Sequence, residues 1–139
     1  MSTDDLANLT RMWEQWDGPI GDPEQRERFR ERWWHSEIRY VEDPRWPGSG
    51  SYEGREAVTE VFEAYTEVFE GELRLERTIE AGDQLVALVR YRLVSAGGDV
   101  PLDHVWGYVC EARDGRLSYL RAYWDPEEAL ADAGVSSSA

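Results

Sequence analysis

Apolar residues near the start of the chain recur at helical spacing. Leu6, Leu9, Met12, Trp13 and Trp16 fall on one side of a helix from about residue 4 to 16, with Thr3, Asp4 and Asp5 as candidate caps. "DGPIGDP" breaks that helix. Pro23 then opens a charged second one, "PEQRERFRERWWHS", whose apolar stripe is short: Phe29, Trp33 and Trp34. "EIRYVE" predicts a brief strand ended by Asp43, Pro44 and the loop "RWPGSGS". In the third helix Ala57, Val58, Val61, Phe62, Tyr65, Val68 and Phe69 share one face. Glu56, Glu60, Glu63 and Glu67 lie largely on the other as a solvated row, and Gly71 stops the helix.

Beyond Gly71 the period changes to two. "ELRLERTIEA", "QLVALVRYRLVSA", "GDVPLDHVWGYVC" and "RLSYLRAYW" are separated by the turns "AGD", "AGGD" and "RDG", a pattern that predicts four long antiparallel strands in a meander. A short helix, "DPEEALADAG", ends at Gly134, so one domain is expected over residues 1–134 with a frayed tail at 135–139. Helices first and strands afterwards define an α+β class, with helices packed on one face of an antiparallel sheet.

Composition narrows the partners. The 139 residues carry 15 Lys plus Arg against 29 Asp plus Glu, a net charge of −14, which argues against nucleic acid and anionic membrane surfaces. A neutral, cationic or small partner is expected instead. Seven Trp, seven Tyr and three Phe can fill a core or line a cavity. The single cysteine, Cys110, sits in a strand pattern and is expected to be structural. The opening "MSTDDLANLTRMW" has no signal-peptide pattern and no segment approaches the roughly 20 apolar residues of a membrane span, so a cytoplasmic protein is expected. No phosphate loop, zinc-ligand spacing or nucleophile elbow is present, and no cofactor is expected.

Three local patterns carry a family resemblance: "YVEDP" at 40–44, "PLDH" at 101–104 and "RAYWDPEEAL" at 121–130. With the order of elements, they make the chain resemble the SnoaL-like and ketosteroid isomerase branch of the nuclear transport factor 2 superfamily. That resemblance runs from about Leu6 to Gly134. It implies a cone-shaped curved sheet, a cystatin-like α+β barrel, closed over by three N-terminal helices. It also implies a steroid delta-isomerase-like, cofactor-independent enzyme acting on an apolar carbonyl-type substrate (steroid, polyketide or terpenoid). A SnoaL-like cyclase or dehydratase, or a non-catalytic small-molecule-binding or dimerisation module, are the alternatives. An epoxide hydrolase of this fold fits less well, because Ala122 stands where its second carboxylate is expected.

On this resemblance Asp43 is the ionised general base and Asp103 the neutral donor to an oxyanion, with Trp124 as a wall residue. The isomerases carry a donor Tyr on helix one and supporting tyrosines elsewhere; here those positions fall near Trp13, near Trp34 or His35, and at Phe62. Strand alternation, taken with that role, puts Asp103, Val105, Gly107 and Val109 on the concave side. His104, Trp106, Tyr108 and Cys110 would then face outward, and Trp106 and Tyr108 would form a homodimer surface. Competing local readings remain. An Asp before Pro is often a turn residue, and Asp103 has Arg90, Arg92 or Arg121 as candidate ion-pair partners.

Overall fold

Ser2 starts the first helix, one residue ahead of the expected caps. Its hydroxyl accepts from the Asp5 N–H at 3.1 Å, and the Asp5 carboxylate accepts from the Ser2 N–H at 3.3 Å, a reciprocal box that satisfies two otherwise orphaned donors. The computed structural model describes residues 2–16, 18–19, 22–46, 48–95 and 101–135; of the expected frayed tail, 136–139 lie outside the described residues. Helix α1 spans Thr3–Gln15, and α2 spans Pro23–Trp33, capped by Asp22 with Pro23 at its start. Helix α3 spans Arg55–Val68 and α4 Pro126–Asp132.

The predicted meander is present as β4 (Phe69–Ala81), β5 (Gln84–Ser95), β6 (Pro101–Arg113) and β7 (Arg116–Tyr123). Three further strands complete the sheet: β1 (Gly18–Pro19), β2 (Trp34–Val41) and β3 (Ser51–Glu53), in the order β1-β4-β5-β6-β7-β2-β3. Strand β2 starts at Trp34, three residues earlier than expected, and lies parallel to β7 with Tyr40 opposite Leu120. The sheet is curved and remains unclosed, and each of its faces buries a different set of residues.

On the concave face, Leu85, Ala87 and Val89 of β5 and Tyr108 and Cys110 of β6 pack with Leu9, Met12 and Trp13 of α1. Each of these large side chains, fully buried, contributes roughly 1.5–3 kcal/mol. On the convex face, Val86 and Val109 pack with Tyr123, Ala129 and Leu130 under α4. Gly107 is what lets α4 lie so close: a Cβ there would stand 2.6 Å from the Ala129 Cβ and 2.9 Å from the Pro126 Cα.

This assignment reverses the expected faces of β6. His104, Trp106, Tyr108 and Cys110 point inward, whereas Asp103, Val105, Gly107 and Val109 point outward. The physical reason is volume. Trp106, Tyr108 and Cys110 are 6 %, 3 % and 0 % exposed and fill space that the hollow side offers, while the small Gly107 and Val109 suit a helix packed flat against the sheet. A dimer surface made of Trp106 and Tyr108 is thereby excluded. Among the described residues no helix is long and apolar enough to cross a membrane.

Candidate active site

Helices α1, α2 and α3 and the concave sheet enclose a cavity of about 630 Å³. Trp16, Trp34, Tyr40, Phe62, Tyr65, Trp106 and Tyr108 are among the side chains that line it. The volume is that of a small-molecule site, and aromatic side chains share its wall with charged groups that include the arginines of α2. The indole N–H groups of Trp34 and Trp106 are buried there without a hydrogen-bond partner. Leaving a buried donor unpaired costs on the order of 1–3 kcal/mol.

Glu42, which directly follows β2, lines the cavity together with Asp22 and Asp43. Alternation along β2 puts Tyr40 and Glu42 on the same side, and the Tyr40 hydroxyl donates to Glu42 Oε2 at 3.4 Å. The Tyr65 hydroxyl, from α3, donates to the same oxygen, and the Gly50 N–H donates to Oε1 at 3.3 Å. Burial pushes the Glu42 carboxyl above the ordinary carboxylate range, and the bonds from Gly50 and Tyr40 only partly offset that. Glu42 is therefore an oriented carboxyl with a raised proton affinity.

A second polar pair comes from the sheet. Tyr91 of β5 and Tyr108 of β6 both face the cavity, and their hydroxyls are hydrogen-bonded to each other. Burial holds both phenols well above their ordinary value, so they remain protonated. One hydroxyl donates to the other, which leaves the acceptor's own hydrogen for a ligand oxygen.

Asp43 lines the rim, but its oxygens are already engaged. Oδ1 accepts from the Arg45 N–H at 2.9 Å and from Arg45 Nε at 3.2 Å, and Oδ2 accepts from the Trp124 N–H at 2.7 Å. Burial alone would raise this carboxyl, yet the bonds from Arg45 and Trp124 outweigh it and hold Asp43 below its ordinary range. Arg45 also bonds Glu128 of α4, so Asp43 fastens the loop after β2 to the ends of β7 and α4.

Asp103 departs furthest from expectation. It stands on the convex face, half exposed, with Oδ1 accepting from Arg90 Nε at 2.8 Å and Oδ2 from Arg90 Nη2 at 3.5 Å. The Arg90 guanidinium lowers its proton affinity, the opposite of a neutral donor. Val105 shares that outer face. Trp13 is buried behind the cavity, stacked on Trp16 at 4.9 Å with 10° between the rings; its indole N–H makes no hydrogen bond of ordinary geometry, and the cavity wall is the next turn's Trp16. His35 lies outside the cavity near Arg113 and Asp114. Trp34 and Phe62 do line the cavity, edge to face at 5.4 Å. Trp124 backs its wall, stacked on His104 at 3.6 Å and edge-on to Trp106 at 5.0 Å.

A curved, mainly antiparallel sheet with three helices over a hollow face, and polar groups converging inside, defines a nuclear transport factor 2-like α+β cone. The comparisons agree on that fold. The chain is similar to an NTF2-like protein of unknown function from Burkholderia pseudomallei, at 17% identity over 94% of this chain and 97% of the other, TM-score 0.67. It is similar to a protein from Rhodopseudomonas palustris provisionally designated an isomerase, at 20% identity over 96% and 98%, TM-score 0.64. A third likeness is to a protein with a ketosteroid isomerase-like fold from Catenulispora acidiphila, solved with trimethylamine, at 15% identity over 95% of each chain, TM-score 0.66. No family model and no curated protein matches the chain.

Proposed function

We propose that this protein is a cofactor-independent acid–base enzyme, of the ketosteroid isomerase type, that shifts a proton on an apolar carbonyl-type substrate such as a steroid, polyketide or terpenoid. The observation that carries the reading is the convergence of one desolvated carboxyl, Glu42, and one protonated phenol pair, Tyr91–Tyr108, on a single aromatic cavity. In this reading ionised Glu42 takes the proton from the carbon next to the carbonyl. On a β,γ-unsaturated ketone the C–H electron pair becomes a new C=C bond conjugated with the existing one, giving a dienolate, and the oxygen gains the charge. The free hydrogen of the tyrosine pair donates to that oxygen, an interaction that strengthens as charge develops. Glu42 then returns the proton to the far end of the dienolate, so atoms and charge balance without a co-reactant.

The raised proton affinity of Glu42 suits this work, because a base that must also return the proton acts best near the working pH. Apolar walls favour a substrate whose bulk is hydrocarbon. The same aromatic cavity also supports a second reading, a binding module that holds such a ligand without converting it. One experiment separates the two readings: a panel of β,γ-unsaturated ketones followed by the absorbance of the conjugated product, with wild type and Glu42→Gln. Conversion by wild type that falls by about 10²–10⁴-fold in the variant supports the enzyme. Saturable binding without conversion by wild type, or equal turnover by both, overturns it.

A further inference from the structure

Helix α2 carries four arginines, at 26, 28, 30 and 32, and all four border the cavity of a chain whose net charge is −14. Two are spent locally. Arg28 pairs with Glu24 in solvent at 3.2 Å, and the Arg32 guanidinium lies over the Trp33 ring at 4.2 Å. Arg26 and Arg30 differ, because both reach across to the same carboxylate, Glu63 of α3. Arg26 Nε donates to Glu63 Oε2 at 2.9 Å, and Arg30 Nη1 is 3.2 Å from Oε1.

Two guanidiniums sharing one carboxylate leave one positive charge over. That charge is not in bulk water: the Arg30 side chain is only 9 % exposed and its guanidinium sits 5.6 Å from the centre of the Trp34 ring, whose buried N–H lacks a partner. An arginine presents five N–H donors, and Glu63 occupies few of those on this pair. Asp22, which also lines the cavity, accepts from the N–H groups of Glu24 and Gln25 as the cap of α2. With one carboxylate between two guanidiniums, one of them largely buried, a ligand anion at this place gains charge-assisted hydrogen bonds to donors that Glu63 leaves free.

We infer that Arg26 and Arg30 form an anion subsite at the α2–α3 side of the cavity, and that the natural ligand is an apolar ring system bearing a single carboxylate. The excess of one charge favours a monoanion over a phosphate dianion, and the planar guanidinium fork fits a carboxylate edge. The inference deepens the function proposed above by naming the substrate class, and it rests on that reading only in taking this cavity as the site.

Calorimetric titration with 2-naphthylacetate and its uncharged twin, 2-naphthylacetamide, tests the subsite without any need for turnover. Wild type is expected to bind the carboxylate about tenfold more tightly than the amide, the size of one charged hydrogen bond. Arg30→Gln is expected to erase that preference while still binding the amide, and Arg30→Lys to restore part of it. Arg26→Gln, whose side chain is more exposed, provides the same test should Arg30→Gln fail to fold. Glu42→Gln is expected to keep the preference, so failure of the acid–base chemistry and failure of this subsite give different results. Equal affinities for the two probes in wild type, or an undiminished preference in both arginine-to-glutamine variants, overturn the inference.

Discussion

Glu42 and Asp103 are carboxylates on opposite faces of one curved sheet, and their surroundings push them in opposite directions. Glu42, on the hollow side, accepts from the phenols of Tyr40 and Tyr65 and from a backbone N–H, and burial raises its proton affinity. Asp103, on the convex side, meets Arg90 and water and is held ionised. A local motif around an acid therefore says little about its chemistry until the face is known. The same contrast holds for tyrosine and arginine: in β5, Tyr91 points into the cavity and its neighbour Arg90 points away.

The largest expected effect comes from erasing the acid on the hollow face. Glu42→Gln is expected to lower kcat/KM on a β,γ-unsaturated ketone by about 10²–10⁴-fold, the range for losing a positioned base. In wild type the acid limb of the pH–rate profile should lie above the ordinary Glu value of 4.5, and the variant should lack it. The stability signature has a definite sign. Because the folded protein holds the Glu42 proton more tightly than the unfolded chain, stability falls as pH rises from 4.5 through the raised folded value. The Tm difference should therefore move in favour of Glu42→Gln across that window. Asp43 has the opposite sign: its contribution is present above 3.8 and is lost as pH falls through its lowered folded value.

Tyr108→Phe comes next. It removes one member of the phenol pair and is expected to cost about 10²-fold in kcat with a smaller change in KM, measured on the same ketone. Gly107→Val probes the covered convex face instead. The added side chain meets Ala129 and Pro126, and the overpacking should cost about 1–3 kcal/mol in denaturant unfolding. Smallest is Asp103→Asn, which breaks an exposed ion pair and should leave both Tm and turnover unchanged.

Most of the architecture was legible in the sequence because periodicity reports it directly. The amphipathic face of α1, that of α3 as far as Tyr65, Pro23 at the start of α2 and the turns "AGD" and "RDG" follow from local chemistry, whereas Phe69 and Gly71 belong to β4 instead of ending α3, and "AGGD" lies outside the described residues. Strand β2 was placed late because "WWHS" continues the helical stripe of α2, and only pairing alongside β7 draws Trp34 into the sheet. The faces of β6 were misjudged because both of them carry apolar residues, so hydrophobicity does not break the tie and a resemblance at "PLDH" did. Side-chain volume was the available signal, since His, Trp, Tyr and Cys recur against Asp, Val, Gly and Val. Of the expected pocket residues Trp34 and Phe62 line the cavity, whereas the polar groups Glu42, Tyr91 and Tyr108 were not among the candidates. Glu42 stands beside the more familiar Asp43, and the phenols come from β5 and β6 rather than from α1.

The most direct measurement sets Glu42→Gln beside Asp103→Asn on one β,γ-unsaturated ketone, with kcat/KM determined for both under the same conditions. The account predicts a loss of at least about 10²-fold for Glu42→Gln and wild-type turnover for Asp103→Asn. Wild-type turnover in Glu42→Gln with a large loss in Asp103→Asn would contradict it.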